Sequence, residues 1–109
     1  MEPLETDKER RGRRVSLSCR VFFFGDGDYE GEGRVVDVST SGCRMSSGEK
    51  LRVGTILKFS LFFKDHQWPV RIDQGIVRWA KEETYGVEFT SIRPAQRERL
   101  RALVMKGRI

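Results

Sequence analysis

Val15-Ser16-Leu17-Ser18-Cys19-Arg20-Val21-Phe22-Phe23-Phe24 sets Val15, Leu17, Cys19, Val21 and Phe23 alternately against Ser16, Ser18, Arg20, Phe22 and Phe24. A period of two puts the first set on one side of a pleated chain, so the stretch predicts a strand with one buried face. Gly25-Asp26-Gly27-Asp28 follows it, and a hairpin closes there because glycine supplies positive φ and aspartate bonds its own backbone. Residues 29–38 return as a second strand, with Val36 and Val38 on one face and Val35 and Asp37 on the other. The turn 37–42 leads to a short strand at Cys43 and Met45, a polar loop over 46–53 and an apolar strand over 56–63. Lys64-Asp65-His66-Gln67 makes a second hairpin turn. In residues 70–79 the apolar set changes face near Gly75, which predicts a bulge, and 85–89 forms the last strand. Pro94 suits the first turn of a helix, on which Leu100, Leu103 and Val104 make one apolar stripe.

About six short strands and one terminal helix imply a mainly β chain closed as a compact antiparallel barrel, since closure removes the edges that invite aggregation. The 109 residues fit one domain, with 38% hydrophobic and 34% charged residues. The longest apolar run, Val21 to Phe24, has four residues, far short of the roughly twenty a membrane helix needs. The N-terminal stretch lacks the apolar core of a secretory signal, so a cytoplasmic location without membrane insertion is expected. Cys19 and Cys43 read as small hydrophobes, and His66 as a solvated turn residue with no partners for a metal site. Asp26, Asp28, Glu30 and Glu32 lack the ligand spacing of a calcium loop. Phe59, Phe62, Phe63, Trp68 and Trp79 are assigned to packing, as a small barrel needs large apolar side chains inside. No nucleophile with a base and no paired carboxylates can be assembled, so no catalytic residue is expected.

The net charge of +5 is concentrated locally: Arg10, Arg11, Arg13 and Arg14 are interrupted only by Gly12. A guanidinium is always charged and matches both phosphate and the O6/N7 edge of guanine, so these residues can read either part of a guanine nucleotide. In Asp37-Val38-Ser39-Thr40-Ser41-Gly42, Asp37 can accept from base N–H groups, Ser39 can serve an oxygen-rich ligand, and Gly42 permits positive φ or close backbone approach. Each segment alone also reads as a solvated tail or an ordinary turn.

Taken together, Arg10 and Arg14 in an R-x-x-x-R pattern, followed by Asp37, Ser39 and Gly42 in a [D/N]-x-S-x-x-G pattern, resemble the paired ligand motifs of the PilZ domain family. Gly75 to Trp79 and Gly86-Val87-Glu88-Phe89 look like its closing strands, and the resemblance covers roughly residues 9–104. It implies a six-stranded antiparallel barrel with a C-terminal helix, divided into a flexible tail (1–8), a PilZ domain (9–105) and a short end (106–109). Within that domain the arginine segment is 9–14, the barrel 15–89 and the helix 94–105. The resemblance further implies a non-enzymatic receptor for cyclic di-GMP, without other cofactor, whose arginine segment orders over the barrel and alters contact with a partner protein in trans. Arg10 and Arg14 would grip phosphate and guanine, Asp37 would accept from a base, Ser39 would help hold the ligand, and Gly42 would shape the turn. Arg11 and Arg13 would add secondary contacts. Two alternatives stay open: an adaptor for pilus or motility machinery that ignores the nucleotide, and a nucleic-acid-binding barrel, which a steep salt dependence would reveal.

Overall fold

The computed structural model describes residues 19–64 and 66–107. The expected tail, the arginine segment with Arg10, Arg11, Arg13 and Arg14, and residues 15–18 of the first strand lie outside the described residues.

Alternation builds the first two elements. β1 (Cys19–Phe24) buries Cys19, Val21 and Phe23 and turns Arg20, Phe22 and Phe24 outward. The turn after it carries Gly27 at φ 69°, and β2 (Glu30–Val38) pairs back antiparallel with Phe22 opposite Glu32. β3 (Gly42–Ser46), β4 (Ile56–Phe63), β5 (Val70–Lys81) and β6 (Thr84–Ser91) complete a closed barrel in the ring order β1-β2-β3-β6-β5-β4. Every neighbouring pair is antiparallel.

Phe23, Met45, Leu57, Phe59, Leu61, Ile72 and Val77 fill the interior, each at most 2% exposed. Full burial of such a side chain contributes about 1.5–3 kcal/mol, so the core is the main stabilising mass. The loop after β3 buries Leu51 in the core and leaves Val53 exposed. It is pinned by Tyr85, whose hydroxyl donates to the Glu49 carbonyl (2.8 Å) and accepts from the Leu51 amide (3.2 Å).

The helix, α1 (Pro94–Gly107), runs past its expected end at 105 and buries Leu100, Leu103 and Val104 in the same core. Arg99 ties it to the barrel by donating to the Pro69 carbonyl (2.8 Å) and the Trp68 carbonyl (2.6 Å). Among the described residues no helix is long and apolar enough to cross a membrane.

The bulge near Gly75 is present: the register shifts between Gln74 and Gly75, so the buried set changes from Val70 and Ile72 to Val77. The faces of β2 are corrected. Val36 is an extra residue in the β2–β3 ladder, so Val35 and Val38 both point inward, Val36 is 40% exposed, and Asp37 stands opposite Arg44. Aromatic packing is also corrected in part, because Phe59 and Phe63 are buried while Phe62, Trp68 and Trp79 are 40%, 66% and 42% exposed. Phe62 falls on the outward phase of β4, Trp68 precedes β5, and Trp79 follows a second register shift in β5.

Candidate functional site

The bulge at Val36 aims Asp37 across the outer surface of β3. Arg44 answers it: Nε and Nη2 both donate to Asp37 Oδ2, at 3.0 and 2.5 Å. The Asp37 side chain is only 11% exposed, against 46% for Arg44, so a nearly buried carboxylate is held by a guanidinium that still faces solvent. Two charge-assisted donors on one oxygen hold that oxygen in place as well as balancing the carboxylate's charge.

Beyond Asp37 the chain turns tightly. The Ser39 amide donates to the Gly42 carbonyl (2.8 Å), and the Ser41 amide donates to Ser39 Oγ (3.1 Å). Ser39 Oγ also lies 3.2 Å from Ser41 Oγ and 3.4 Å from the Gly42 carbonyl, and the residue is 2% exposed. Its hydroxyl is therefore built into the turn, while Ser41 lines the adjoining surface. Of the two uses open to Gly42, the structure takes close approach: a Cβ there would stand 2.3 Å from the Val87 carbonyl oxygen, and its φ is not positive.

A single row then crosses four strands. Asp37 on β2 stands opposite Arg44 on β3, Arg44 opposite Gly86 on β6, and Gly86 opposite Trp79 on β5. Gly86 is bare so that the indole can lie over it, since a Cβ would come within 2.0 Å of Trp79 Nε1. Beside this row Arg78 donates to Glu88 (2.6 Å), an exposed pair worth at most about 1 kcal/mol and free to exchange for a ligand. Together these groups enclose an open basin of about 570 Å³, lined by Asp37, Ser41, Gly42, Arg44, Arg78 and Trp79 among others. It offers an oriented carboxylate, two guanidinium groups and an aromatic face.

The structure thus brings Asp37, Gly42 and the Ser39 turn to one place, while Arg10, Arg11, Arg13 and Arg14 lie outside the described residues. Sequence reasoning missed Arg44, Arg78 and Trp79 as lining residues. Their common signal is lateral pairing between strands, which is not local in the chain. The cysteines lie inside, and burial pushes the Cys19 thiol up to about 12, which removes it as a nucleophile at neutral pH. Among the described residues no group of three His, Cys, Asp or Glu side chains is placed to hold a metal ion.

The sequence model of the PilZ domain family matches residues 8–106. No curated protein sequence matches. Among solved structures, the chain is similar to the Bacillus subtilis inhibitor of motility MotI/DgrA, with a TM-score of 0.73 at 16% identity, covering 89% of this chain and 49% of that one. It therefore spans about half the length of that protein. It is similar also to the PilZ domain of YcgR from Escherichia coli with c-di-GMP, with a TM-score of 0.70 at 12% identity and 90% of each chain covered. The PilZ domain of CeSA from a cellulose-synthesizing bacterium gives 0.66 at 18% identity, covering 86% of this chain and 96% of that one.

Proposed function

Since the chain belongs to the PilZ domain family, we propose that it is a non-enzymatic receptor for cyclic di-GMP, bound in the basin between Asp37 and Trp79. The observation that carries this reading is the row Asp37–Arg44–Gly86–Trp79, which sets a carboxylate, a guanidinium and an indole in line across four strands. The fixed carboxylate of Asp37 accepts from the base N1–H and N2–H groups. Guanidinium groups serve the O6/N7 edge and the phosphates. The exposed indole of Trp79 stacks a purine, an interaction worth about 1–3 kcal/mol per base. Ser39 and Gly42 act by shaping the turn that holds Asp37 in place.

Arg10 and Arg14 supply the second half of the grip. Arg20 stands opposite Arg34, so Cys19, at the start of β1, is at the end of that strand nearest the stretch of β2 that continues to Asp37. Arg14 is five positions before Cys19, a reach of up to about 17 Å. Ligand binding orders this segment over the basin and so changes the surface shown to a partner protein, a disorder-to-order switch acting in the cytoplasm. Arg11 and Arg13 contribute attraction more than specific contacts, because alternate residues of an extended segment point apart. The YcgR domain that the fold resembles is one with c-di-GMP, which supports the choice of ligand.

Calorimetric titration with cyclic di-GMP, with GTP and cyclic GMP as competitors, tests the proposal. Micromolar or tighter selective binding is expected, lost in the Arg10→Ala, Arg14→Ala double variant. No binding by the folded wild-type chain would overturn it and leave the protein-binding adaptor as the better reading.

A further inference from the structure

The outer surface of β1 and its neighbours carries aromatic rings where a solvated strand would carry polar side chains. Phe24 and Phe62 are 39% and 40% exposed, and Phe62 meets Phe22 edge to face at 5.4 Å. Across β2, Glu32 stands opposite Phe22 and Glu30 opposite Phe24. With Glu49 these residues line a groove of about 240 Å³. Exposed rings gathered on one face and rimmed by charged side chains fit an interaction surface.

The molecule itself shows what this surface binds. Arg20 lays its guanidinium over the Phe22 ring, 5.4 Å from the centroid, while its Nη2 donates to Glu32 at 3.2 Å. Ring and carboxylate together thus take up a guanidinium on the first rung. The next rung repeats the pair as Phe24 and Glu30, with Glu49 added. Lys58 stands opposite Phe24 on β4, yet among the described residues no ion pair joins any cation to Glu30 or Glu49. The two rungs are two residues apart, so their spacing of roughly 7 Å equals that of alternate side chains in an extended chain. Closure of the barrel leaves no strand edge for backbone pairing, so an occupant must lie across the face and bind by side chains.

We propose that this face docks an extended segment of a partner protein that alternates arginine or lysine with apolar residues. Its cation fills the Phe24–Glu30–Glu49 rung beside the one Arg20 occupies, and its apolar residues cover Phe22 and Phe62. The proposal stands independently of the ligand: the docking face centres on β1 and the basin on β3 and β6, and β2, which serves both, gives Glu30 and Glu32 to the first and Asp37, towards its other end, to the second.

The test is an amide-resolved NMR titration of the full chain with a synthetic pentapeptide alternating arginine and leucine, and in parallel with its glutamate counterpart. Shifts confined to residues 22–24, 30–32, 49 and 62 are expected with the basic peptide only. Glu30→Arg with Glu49→Arg should weaken the interaction about tenfold or more, while cyclic di-GMP titration of the same variant stays at the wild-type value. Phe24→Ser, at an exposed position where the fold tolerates change, should weaken it as well. Equal response to the acidic peptide, shifts centred on Asp37 and Trp79, or unchanged binding by the variants would each overturn the proposal. So would concentration-dependent shifts of the same resonances without peptide, since these would assign the face to a second copy of the chain.

Discussion

The face around Asp37 and the face around Phe24 are built from the same three groups, a carboxylate, a guanidinium and an aromatic ring, yet their backbones differ. β1 pairs with β2 and with β4 without a register shift, so its rings and carboxylates stand in straight rungs on a regular surface. The other face is bounded by irregularities at Val36 in β2 and between Val77 and Trp79 in β5, with side-chain-free Gly86 between them. Bulges bend a strand and re-aim its side chains. Irregular register therefore makes a basin that can surround a small ligand, whereas regular register leaves a surface suited to a flat partner.

The largest expected effect separates the faces directly. Arg10→Ala with Arg14→Ala removes two charge-assisted contacts of about 1.5–3 kcal/mol each, so cyclic di-GMP affinity should fall by about two to four decades in calorimetry. Equal losses from Glu30→Arg would break the division between the faces. Next comes the platform. Trp79→Ala should weaken binding by about five- to 150-fold through lost stacking. Gly86→Ala should act through the same indole, displaced by the new Cβ, so the double variant should bind no worse than the poorer single one.

A smaller change is expected at Arg44. Lysine cannot reproduce the two-pronged hold on Asp37, so Arg44→Lys should cost about three- to tenfold in affinity. That loss should vanish in an Asp37→Asn background if Arg44 works by orienting the carboxylate, and persist if it touches the ligand itself. The smallest effect belongs to the regular face: Phe24→Ser should leave nucleotide affinity unchanged and alter stability by no more than about 0.5 kcal/mol in thermal melts, as exposed positions do.

What was legible in the sequence follows the same divide. β1 and the apolar stripe of α1 kept a strict period, and their buried faces were read correctly from it, whereas β4 was read only as an apolar strand and its outward Phe62 was assigned to packing. The turn 39–42 was visible because its bonds are made within four residues. At Val36 the period breaks, and one extra residue reversed the expected partners of Val35 and Val38. The Gly75 bulge could be foreseen because apolar residues lie on both sides of the change, whereas β2 offers four candidates in Val35-Val36-Asp37-Val38 and no local sign of which is extra. Trp79 was assigned to the interior on its size; only its lateral partner Gly86 shows why it lies outside. Arg44, Gly86 and Trp79 become neighbours through the ring of strands, and no spacing along the chain announces that.

The exposed indole also gives the protein an optical voice. The chain has two tryptophans, one in the basin and the other, Trp68, in the segment before β5 whose carbonyl accepts from Arg99 of the helix. A purine laid on Trp79 would quench one emitter and spare the other, so the fluorescence of the unlabelled protein reports occupancy against its own internal standard.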